Sequence, residues 1–121
     1  MSQQPGAAST CLFCRVAAGT VPATIVHSDD TTVAFRDINP QAPTHILLIS
    51  RRHVDSIADL TPEDGPLLAS IFIVATKLAH ELGLDQRGYR IVANNGPDAG
   101  QSVFHLHFHL LGGRKSAWPP G

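Results

Sequence analysis

Apolar and polar residues alternate along several short segments of the chain, and this period of two is typical of β-strands. The alternation, or a short apolar run, predicts five strands, at residues 25–28, 31–37, 45–50, 89–94 and 103–111. Between about Pro66 and Leu82 the apolar residues instead recur at helical spacing, which predicts one long helix. Because Pro66 would clash in a helix already under way, residues 61–64 are expected to form a separate turn.

Several strands with one long helix indicate an α+β domain, and the short connections favour antiparallel pairing over parallel crossovers. A chain of 121 residues fits one domain that can bury a core. Residues 1–10 are small and polar and are expected to be a disordered tail. Residues 11–121 then form the single domain.

Composition and charge narrow the class of partner. Hydrophobic residues make up 43% of the chain and charged residues 16%, which is ordinary for a globular protein. With a formal net charge of −1, no basic surface for nucleic acid or an anionic membrane is expected. The longest apolar stretches are too short to span a bilayer. The N-terminus lacks the features of a signal peptide, so we expect a cytoplasmic protein with reduced cysteines.

The last predicted strand has an unusual pattern of three histidines separated by single apolar residues. The histidines are His105, His107 and His109. A strand would place all three imidazoles on one face, where they suit acid–base work, metal binding or nucleophilic attack. The apolar side chains expected on the other face are Phe104, Leu106, Phe108 and Leu110. A row of histidines on a solvated sheet face is the alternative interpretation.

A glycine-bearing turn precedes this strand and supplies groups that the imidazoles lack. Gly100 allows backbone N–H groups to approach an oxyanion closely, and Ser102 adds a hydroxyl group. Asn94, at the end of the fourth predicted strand, adds an amide. Beside the histidines these groups predict a phosphate site, whereas a Gly-x-Ser turn alone would be weak evidence.

Three separated motifs resemble the Hint branch of the histidine triad superfamily, the histidine triad nucleotide-binding proteins. They are the His-φ-His-φ-His-φ-φ run within 100–111, where φ is apolar, the segment 37–49, and the ending 112–121 with its Trp-Pro-Pro-Gly. The resemblance covers nearly everything from Cys11 to Gly121. It implies a HIT-like fold, with a five-stranded antiparallel sheet, one long helix and a short N-terminal helix.

The resemblance implies a purine nucleoside phosphoramidase, which splits an AMP-amine substrate into a nucleoside monophosphate and an amine. The middle histidine, His107, would attack the phosphorus and form a covalent nucleotidyl-histidine, so that one difficult displacement becomes two easier ones. His109 and His45 would contact the phosphate or relay protons. The residues expected to bind the phosphate oxygens are His109, Asn94, Gly100 and Ser102.

The same resemblance places the base and ribose in a pocket formed by Phe13, Val16, Phe35, Asp37 and Ile38. Asp37 suits a ribose diol, because a carboxylate can accept two hydroxyl hydrogen bonds. The two phenylalanines are of a kind that can flank a purine ring. Taken singly, a phenylalanine is more often part of a core.

Cys11 and Cys14 form a Cys-x-x-Cys pair that has three interpretations. The first is a redox couple, although no thioredoxin-like pattern surrounds the pair. The second is two unrelated buried thiols. The third is half of a zinc site that needs two more ligands. By the resemblance, His53 and His105 would complete a closed, structural Cys2His2 zinc site. No organic cofactor is implied.

The partners expected are a purine nucleotide and a second copy of the chain. Residues 71–74 are apolar nearly all round, which indicates a helix covered on a second side. The resemblance implies a homodimer whose sheet continues across both protomers, with Trp118 reaching the partner's active site. The alternative is that Trp118 packs on its own domain.

Other functions stay open at this point. A sister branch with the same triad hydrolyses dinucleoside polyphosphates, but it typically lacks the Trp-Pro-Pro-Gly ending. Related nucleotidyl transferases typically replace the third histidine, which is present here as His109. A third alternative is a non-catalytic, zinc-braced nucleotide-binding or scaffolding module.

Overall fold

The structure is a computed structural model that describes residues 10–121. The tail expected at residues 1–10 lies outside this part of the chain, apart from Thr10. The described residues form two α-helices, α1 and α2, and five strands, β1 to β5. The helices are α1 (Leu12–Ala17) and α2 (Gly65–Glu81). The strands are β1 (Ile25–Ser28), β2 (Thr32–Arg36), β3 (Thr44–Ser50), β4 (Tyr89–Val92) and β5 (His107–Gly112).

The five strands form one sheet in the order β1-β2-β3-β5-β4, and every neighbouring pair is antiparallel. This arrangement confirms the predicted α+β class, with a five-stranded antiparallel sheet and one long helix. The connection between β3 and β4 carries α2, and β5 then returns between them. Strands β3 and β5 therefore lie side by side at the centre of the sheet, although 56 residues separate their facing ends.

Both faces of the sheet are covered, which is why β3 is apolar on both sides. On one face α2 packs its buried residues, which include Ile71, Val74 and Leu78, over one set of strand residues. These strand residues are Ala34, Ile46, Leu48, Phe108 and Leu110. On the opposite face Phe13 and Val16 of α1 pack against a second set, formed by Val33, Phe35, Leu47 and Ile49. The short helix therefore covers the face on which the functional side chains lie.

The start of α2 shows how the predicted turn and helix are joined. A 3₁₀ turn at Pro62–Asp64 precedes the helix, as predicted for residues 61–64. The Asp64 side chain accepts a hydrogen bond from the Thr61 N–H at 2.9 Å, and Arg52 pairs with the same carboxylate. Pro66 is then the second residue of α2, where its missing N–H costs no helical hydrogen bond.

The register of β3 against β5 places three histidines together. His45 lies opposite Leu111, Leu47 opposite His109, and Ile49 opposite His107. Side chains at alternate positions share a face, so His45, His107 and His109 all lie on the α1 side of the sheet. His45 is the diagonal neighbour of His109 across the strand pair, a position within reach of a side-chain contact.

The prediction of the last strand was wrong at its beginning. The ladder of β5 begins at His107 rather than at residue 103, because Leu106 donates its N–H out of the sheet, to Val54 O at 2.7 Å. Only the Leu106 carbonyl still contacts β3, where it accepts the Ser50 N–H at 3.5 Å. Leu106 still lies in the core beneath α2, but Phe104 is 52% exposed and does not pack there. His105 precedes the strand and is fully buried. Strand β4 likewise ends at Val92, two residues earlier than predicted.

No helix within residues 10–121 has the length and apolar character needed to cross a bilayer.

The centre of β3 should be the point most sensitive to loss of side-chain volume. Leu48 is fully buried between the sheet and α2, so Leu48→Ala is expected to lower the free energy of unfolding by about 2–5 kcal/mol. Urea denaturation measures this loss. Ile38→Ala is the matched control, because Ile38 is 98% exposed and its truncation should cost less than about 0.5 kcal/mol. Equal losses in the two variants would contradict this account of the core.

Candidate active site and metal site

A cavity of about 280 Å³ opens between α1 and the central strands. Eight of the predicted site residues line it: Phe13, Val16, Phe35, Asp37, Ile38, Ser102, His107 and His109. Other apolar lining residues were not predicted from the sequence, and these include Val21, Ala23, Leu47 and Val103. They carried no signal in the sequence, because isolated aliphatic residues in strands and turns are ordinary core residues. One end of the cavity is therefore apolar and aromatic, and the other end carries the two imidazoles.

The nucleophile predicted at His107 has a defined tautomer. Its Nδ1 lies 2.6 Å from the main-chain oxygen of His105, and a carbonyl only accepts, so Nδ1 carries the proton. Within residues 10–121 every buried side-chain nitrogen and oxygen has a hydrogen-bond partner. The unprotonated Nε2 of His107 has none among these residues, so this atom is not buried and opens to the cavity that His107 lines. Burial lowers the pKa of His107 and favours the neutral ring. A lone pair on Nε2 therefore faces the cavity at neutral pH.

His109 presents the opposite group to the same cavity. The backbone N–H of Gln41 donates to Nδ1 of His45 at 3.0 Å, so the proton of the neutral His45 ring is on Nε2. That nitrogen lies 2.8 Å from Nδ1 of His109 and donates to it. The proton of His109 is then on its own Nε2, which has no partner among the residues that the structure describes and faces the cavity. The two imidazoles thus offer one nucleophilic lone pair and one N–H donor.

The histidine cluster is held neutral mainly by burial. Burial, with smaller effects of His107 and His45, lowers the pKa of His109 to about 4. The pKa of His45 is also lowered, chiefly by burial, while nearby Asp37 opposes the shift. An Asp37 carboxylate oxygen lies 3.4 Å from Nε2 of His45. His45 does not line the cavity, but it contacts two residues that do, His109 and Asp37.

The loop before β5 offers hydrogen-bond donors to an anion. Within the described residues, the backbone N–H groups of Ser102 and Val103 have no acceptor, and both residues line the cavity. The N–H of Gly100 is already used, since it donates to Pro97 O at 3.0 Å, and neither Gly100 nor Asn94 lines the cavity. The φ of +87° at Gly100 shows that this glycine serves the shape of the turn.

Gln101 was missed by the sequence-based prediction, although it is buried and fixes the same loop. Its side chain accepts a hydrogen bond from the Gly96 N–H at 2.8 Å and donates to Asp55 O at 2.9 Å and Val103 O at 3.2 Å. The amide therefore ties both ends of the turn to the segment that follows β3. A glutamine between glycine and serine gives no indication of this role in the sequence.

Aromatic contacts shape the apolar end of the cavity. Phe13 meets Phe35 edge-on with ring centroids 5.6 Å apart, and it meets His107 edge-on at 5.0 Å. The Oδ1 atom of Asp37 accepts the N–H of Asn39 at 2.8 Å, which orients the carboxylate at the cavity wall. The arrangement offers flat apolar contacts and one carboxylate in the same cavity as the donor loop.

A second cluster, of two thiols and two imidazoles, lies beside the cavity. Cys11 is the N-cap of α1 and Cys14 lies in its first turn, so the spacing of three residues brings their side chains together. Nδ1 of His53 is 3.2 Å from the Cys14 sulfur, and Nδ1 of His105 is 3.3 and 3.4 Å from the sulfurs of Cys11 and Cys14. All four donor atoms lie within 4.8 Å of one another.

The donor set fits a tetrahedral zinc ion. Zinc–sulfur and zinc–nitrogen bonds of about 2.3 and 2.0 Å place neighbouring ligand atoms about 3.5 Å apart, close to the distances present here. Nε2 of His53 lies 2.6 Å from an Asp55 carboxylate oxygen, and Nε2 of His105 lies 2.6 Å from Ser50 O. Both outer nitrogens therefore carry protons, and both Nδ1 lone pairs point at the thiols. A carboxylate or carbonyl that accepts the outer N–H commonly orients a zinc-bound histidine in this way.

Burial and the neighbouring thiol raise the pKa of Cys14 to about 12, so the metal-free thiol stays protonated at neutral pH. A bound metal ion would reverse this preference, because it coordinates the thiolate. Within residues 10–121 both cysteines are free of disulfides.

Trp118 lies apart from the cavity. It is 82% exposed and is not among the cavity's lining residues. The preceding backbone is fixed to the sheet edge, since Arg90 of β4 donates to Ala117 O at 2.8 Å. An indole so exposed makes few contacts within its own domain.

Comparison with known proteins identifies the family. The HIT domain family matches residues 18–116, and the chain therefore belongs to that family. An uncharacterized HIT-like protein of Synechocystis is 45% identical over 114 residues, which cover 94% of this chain and 99% of that protein.

Solved structures agree in fold over nearly the whole chain. A HIT family hydrolase from Legionella pneumophila is 53% identical, covering 93% of this chain and 100% of that one, with a TM-score of 0.91. A histidine triad nucleotide-binding protein from Candida albicans is 34% identical, covering 91% and 83% of the two chains, with a TM-score of 0.78.

The neutral state of His109 predicts how stability depends on pH. Its pKa is about 4 in the folded protein, against about 6.5 for an unperturbed histidine. Between these values the unfolded chain binds more protons, so the free energy of unfolding falls as the pH is lowered from about 6.5 towards 4. Urea denaturation at pH 7.5, 6 and 5 should show this loss, with a shallower slope for His109→Gln. An NMR titration that places the His109 midpoint near 6.5 would contradict it.

Proposed function

We propose that this chain is a nucleoside phosphoramidase of the Hint branch, which hydrolyses the P–N bond of purine nucleoside 5′-phosphoramidates. The observation that carries the proposal is the pair of imidazoles with opposite tautomers on one cavity: the lone pair of His107 and the N–H of His109. The phosphate would lie between them and the free N–H groups of Ser102 and Val103, with the base against Phe13. The hydrolase from Legionella pneumophila and the nucleotide-binding protein from Candida albicans support a hydrolase that acts on a nucleotide.

The chemistry balances with these residues and water from solvent. Nε2 of His107 forms a bond to the α-phosphorus while the P–N bond breaks, and its electron pair stays on the nitrogen, which takes a proton from solvent and leaves as the amine. The ring gains positive charge, which the hydrogen bond from Nδ1–H to His105 O stabilises. Water then attacks phosphorus, the P–Nε2 bond breaks, and a proton passes to solvent. The N–H groups stabilise the charge that develops on the phosphate oxygens.

The C-terminal motif supports the P–N bond as the target, and the Asp37 carboxylate supports a nucleoside as the substrate. The Trp-Pro-Pro-Gly ending at residues 118–121 is typical of the phosphoramidase branch rather than of the dinucleoside polyphosphate hydrolases. The carboxylate of Asp37, at the cavity wall, suits the ribose hydroxyls.

Loss of the His107 imidazole should remove turnover without unfolding the protein. We expect His107→Ala to reduce amine release from an adenosine 5′-phosphoramidate at least ~1,000-fold, because no covalent intermediate forms. Release of fluorescent amine and circular dichroism measure turnover and folding. The control is His80→Ala, since the His80 side chain is 79% exposed and far from the cavity in sequence and fold. Near-normal turnover of His107→Ala would overturn the assignment.

The same assay separates the alternative functions. The wild-type protein should cleave the phosphoramidate faster than a diadenosine polyphosphate, and mass spectrometry of quenched reactions should find AMP attached to His107. The opposite substrate preference would favour a polyphosphate hydrolase. Binding of AMP without cleavage of either substrate would favour a non-catalytic module.

We also propose that Cys11, Cys14, His53 and His105 hold one structural zinc ion. The ion would join the N-terminus of α1 to the segments that flank the cavity, and it would take no part in the chemical steps. The support is the match of the donor set and of its hydrogen-bonded outer nitrogens to a tetrahedral site.

Zinc removal should destabilise the protein measurably. We expect about one zinc per chain, and we expect chelation to lower the melting temperature by about 10 °C, since metal that binds only the folded chain stabilises it. Elemental analysis and thermal denaturation measure both quantities. Cys14→Ser should lose the metal, whereas His27→Ala, which changes a histidine outside the cluster, should keep it. A stoichiometry near zero in protein purified without chelators would end this proposal.

A homodimer is proposed as the working assembly. Strand β4 is an edge of the sheet with open backbone groups. On α2, Phe72 and Ile73 are 42% and 66% exposed, and the Phe72 ring lies 5.2 Å from the ring of Phe108 in the neighbouring strand β5. A second copy joined through these features would continue the sheet. The exposed Trp118 would then be available to the partner's active site.

A further inference from the structure

A chain of hydrogen bonds leads from Arg114, outside the cavity, to the N–H that His109 presents inside it. Nε of Arg114 donates to Gln41 O at 3.0 Å. The N–H of Gln41 donates to Nδ1 of His45 at 3.0 Å, and Nε2 of His45 lies 2.8 Å from Nδ1 of His109. The carbonyl of Gln41 is therefore held by Arg114, and the N–H of Gln41 determines which nitrogens of His45 and His109 carry protons.

The Gln41 N–H is the only group within residues 10–121 that bonds to Nδ1 of His45. If it moves away, that nitrogen is free to carry the proton, and part of the His45 population then offers a lone pair at Nε2 instead of a donor. The Asp37 carboxylate oxygen 3.4 Å from Nε2 still favours the original tautomer in the rest, so a mixture results. His109 would place its proton on Nδ1 to satisfy that lone pair, and its Nε2 would face the cavity as an acceptor. An acceptor there would repel phosphate oxygens instead of binding them.

The loop that carries Gln41 needs support from outside itself. Residues 39–41 are exposed, and the bonds of Gln41 Nε2 to Asn39 O and of Asn39 N to Asp37 Oδ1 are internal to the segment. The segment after β5 supplies the external contact. Gly113 has φ +88°, and a Cβ there would lie 2.9 Å from Cβ of Pro43, so the backbone packs directly against the loop. Arg114 follows at once and reaches Gln41 from this position.

We propose that Arg114 is a positioning residue, which fixes the tautomers of His45 and His109 by holding residue 41 in place. The proposal rests on the function proposed above, because the fixed tautomers affect turnover through the N–H that His109 donates to a phosphate. Arg114 does not line the active-site cavity, so it would act on turnover without contacting the substrate. Its guanidinium also donates to Lys115 O at 3.3 Å, which fixes its own orientation.

The test reads the proton positions directly. Long-range nitrogen-15 NMR spectra distinguish protonated from unprotonated ring nitrogens, so they report the tautomer of each histidine whether or not the protein turns over a substrate. In the wild-type protein His45 and His109 should both be protonated at Nε2. Arg114→Met should give a mixture of tautomers at both rings, and Arg114→Lys, which keeps a donor, should restore part of the wild-type pattern.

Two matched controls isolate the hydrogen bond from charge and from the glutamine side chain. Lys115→Met removes the neighbouring positive charge, and Gln41→Ala keeps both backbone groups of residue 41, so both variants should show the wild-type tautomers. In the phosphoramidate assay Arg114→Met should lower kcat about 3- to 10-fold with little change in KM, about the value of one lost hydrogen bond. Ring spectra that are unchanged in Arg114→Met would overturn the proposal.

The remaining outcomes are also decisive. Altered tautomers with unchanged kcat would overturn the link between Arg114 and turnover. If the wild-type protein cleaves no phosphoramidate, the proposed function fails, while the ring spectra still decide whether Arg114 sets the tautomers. A Lys115→Met variant that matches Arg114→Met would show an effect of charge alone and would also overturn the proposal.

Discussion

The antiparallel pairing of β3 with β5 is the constraint on which the rest of the structure depends. It joins segments that are distant along the chain, and its register places His45 diagonally across from His109. Because alternate residues of each strand face α2, the pairing buries the core and aligns the functional side chains in the same step. A slip of one residue would exchange the two faces, so packing against α2 enforces the geometry of the site.

The sequence was sufficient for the fold class because its periodicities are strong. The helical spacing before Leu82 and the apolar run of β3 predicted their elements to within a residue or two. The start of β5 was predicted too early because the alternation of polar and apolar residues already includes His105 and Leu106, which precede the first paired residue. What ends the ladder is a long-range bond from the Leu106 N–H to Val54 O, and periodicity carries no information about such a bond.

Less of the candidate site could be predicted from the sequence than its residue types suggest. The motif identified candidate histidines, but equal imidazoles along a strand have no assigned roles. The roles follow from main-chain partners: the carbonyl of His105 for one ring and the N–H of Gln41 for the other. The Gln101 side chain likewise bonds to main-chain groups of its loop, and the Asp55 carboxylate contacts Nε2 of His53. Nothing about the residue type or spacing of Gln101 and Asp55 predicts these contacts.

His105 has two separate functions in this arrangement, since its side chain faces the cysteines while its carbonyl orients His107. A carbonyl belongs to every amino acid, so no single substitution at position 105 can delete the group that sets the tautomer of its neighbour. Enzymes that orient a histidine with an aspartate lose that control in one codon change. Here a mutation can change that group only by moving the backbone, so the orientation of the proposed nucleophile should tolerate substitution at position 105 unusually well.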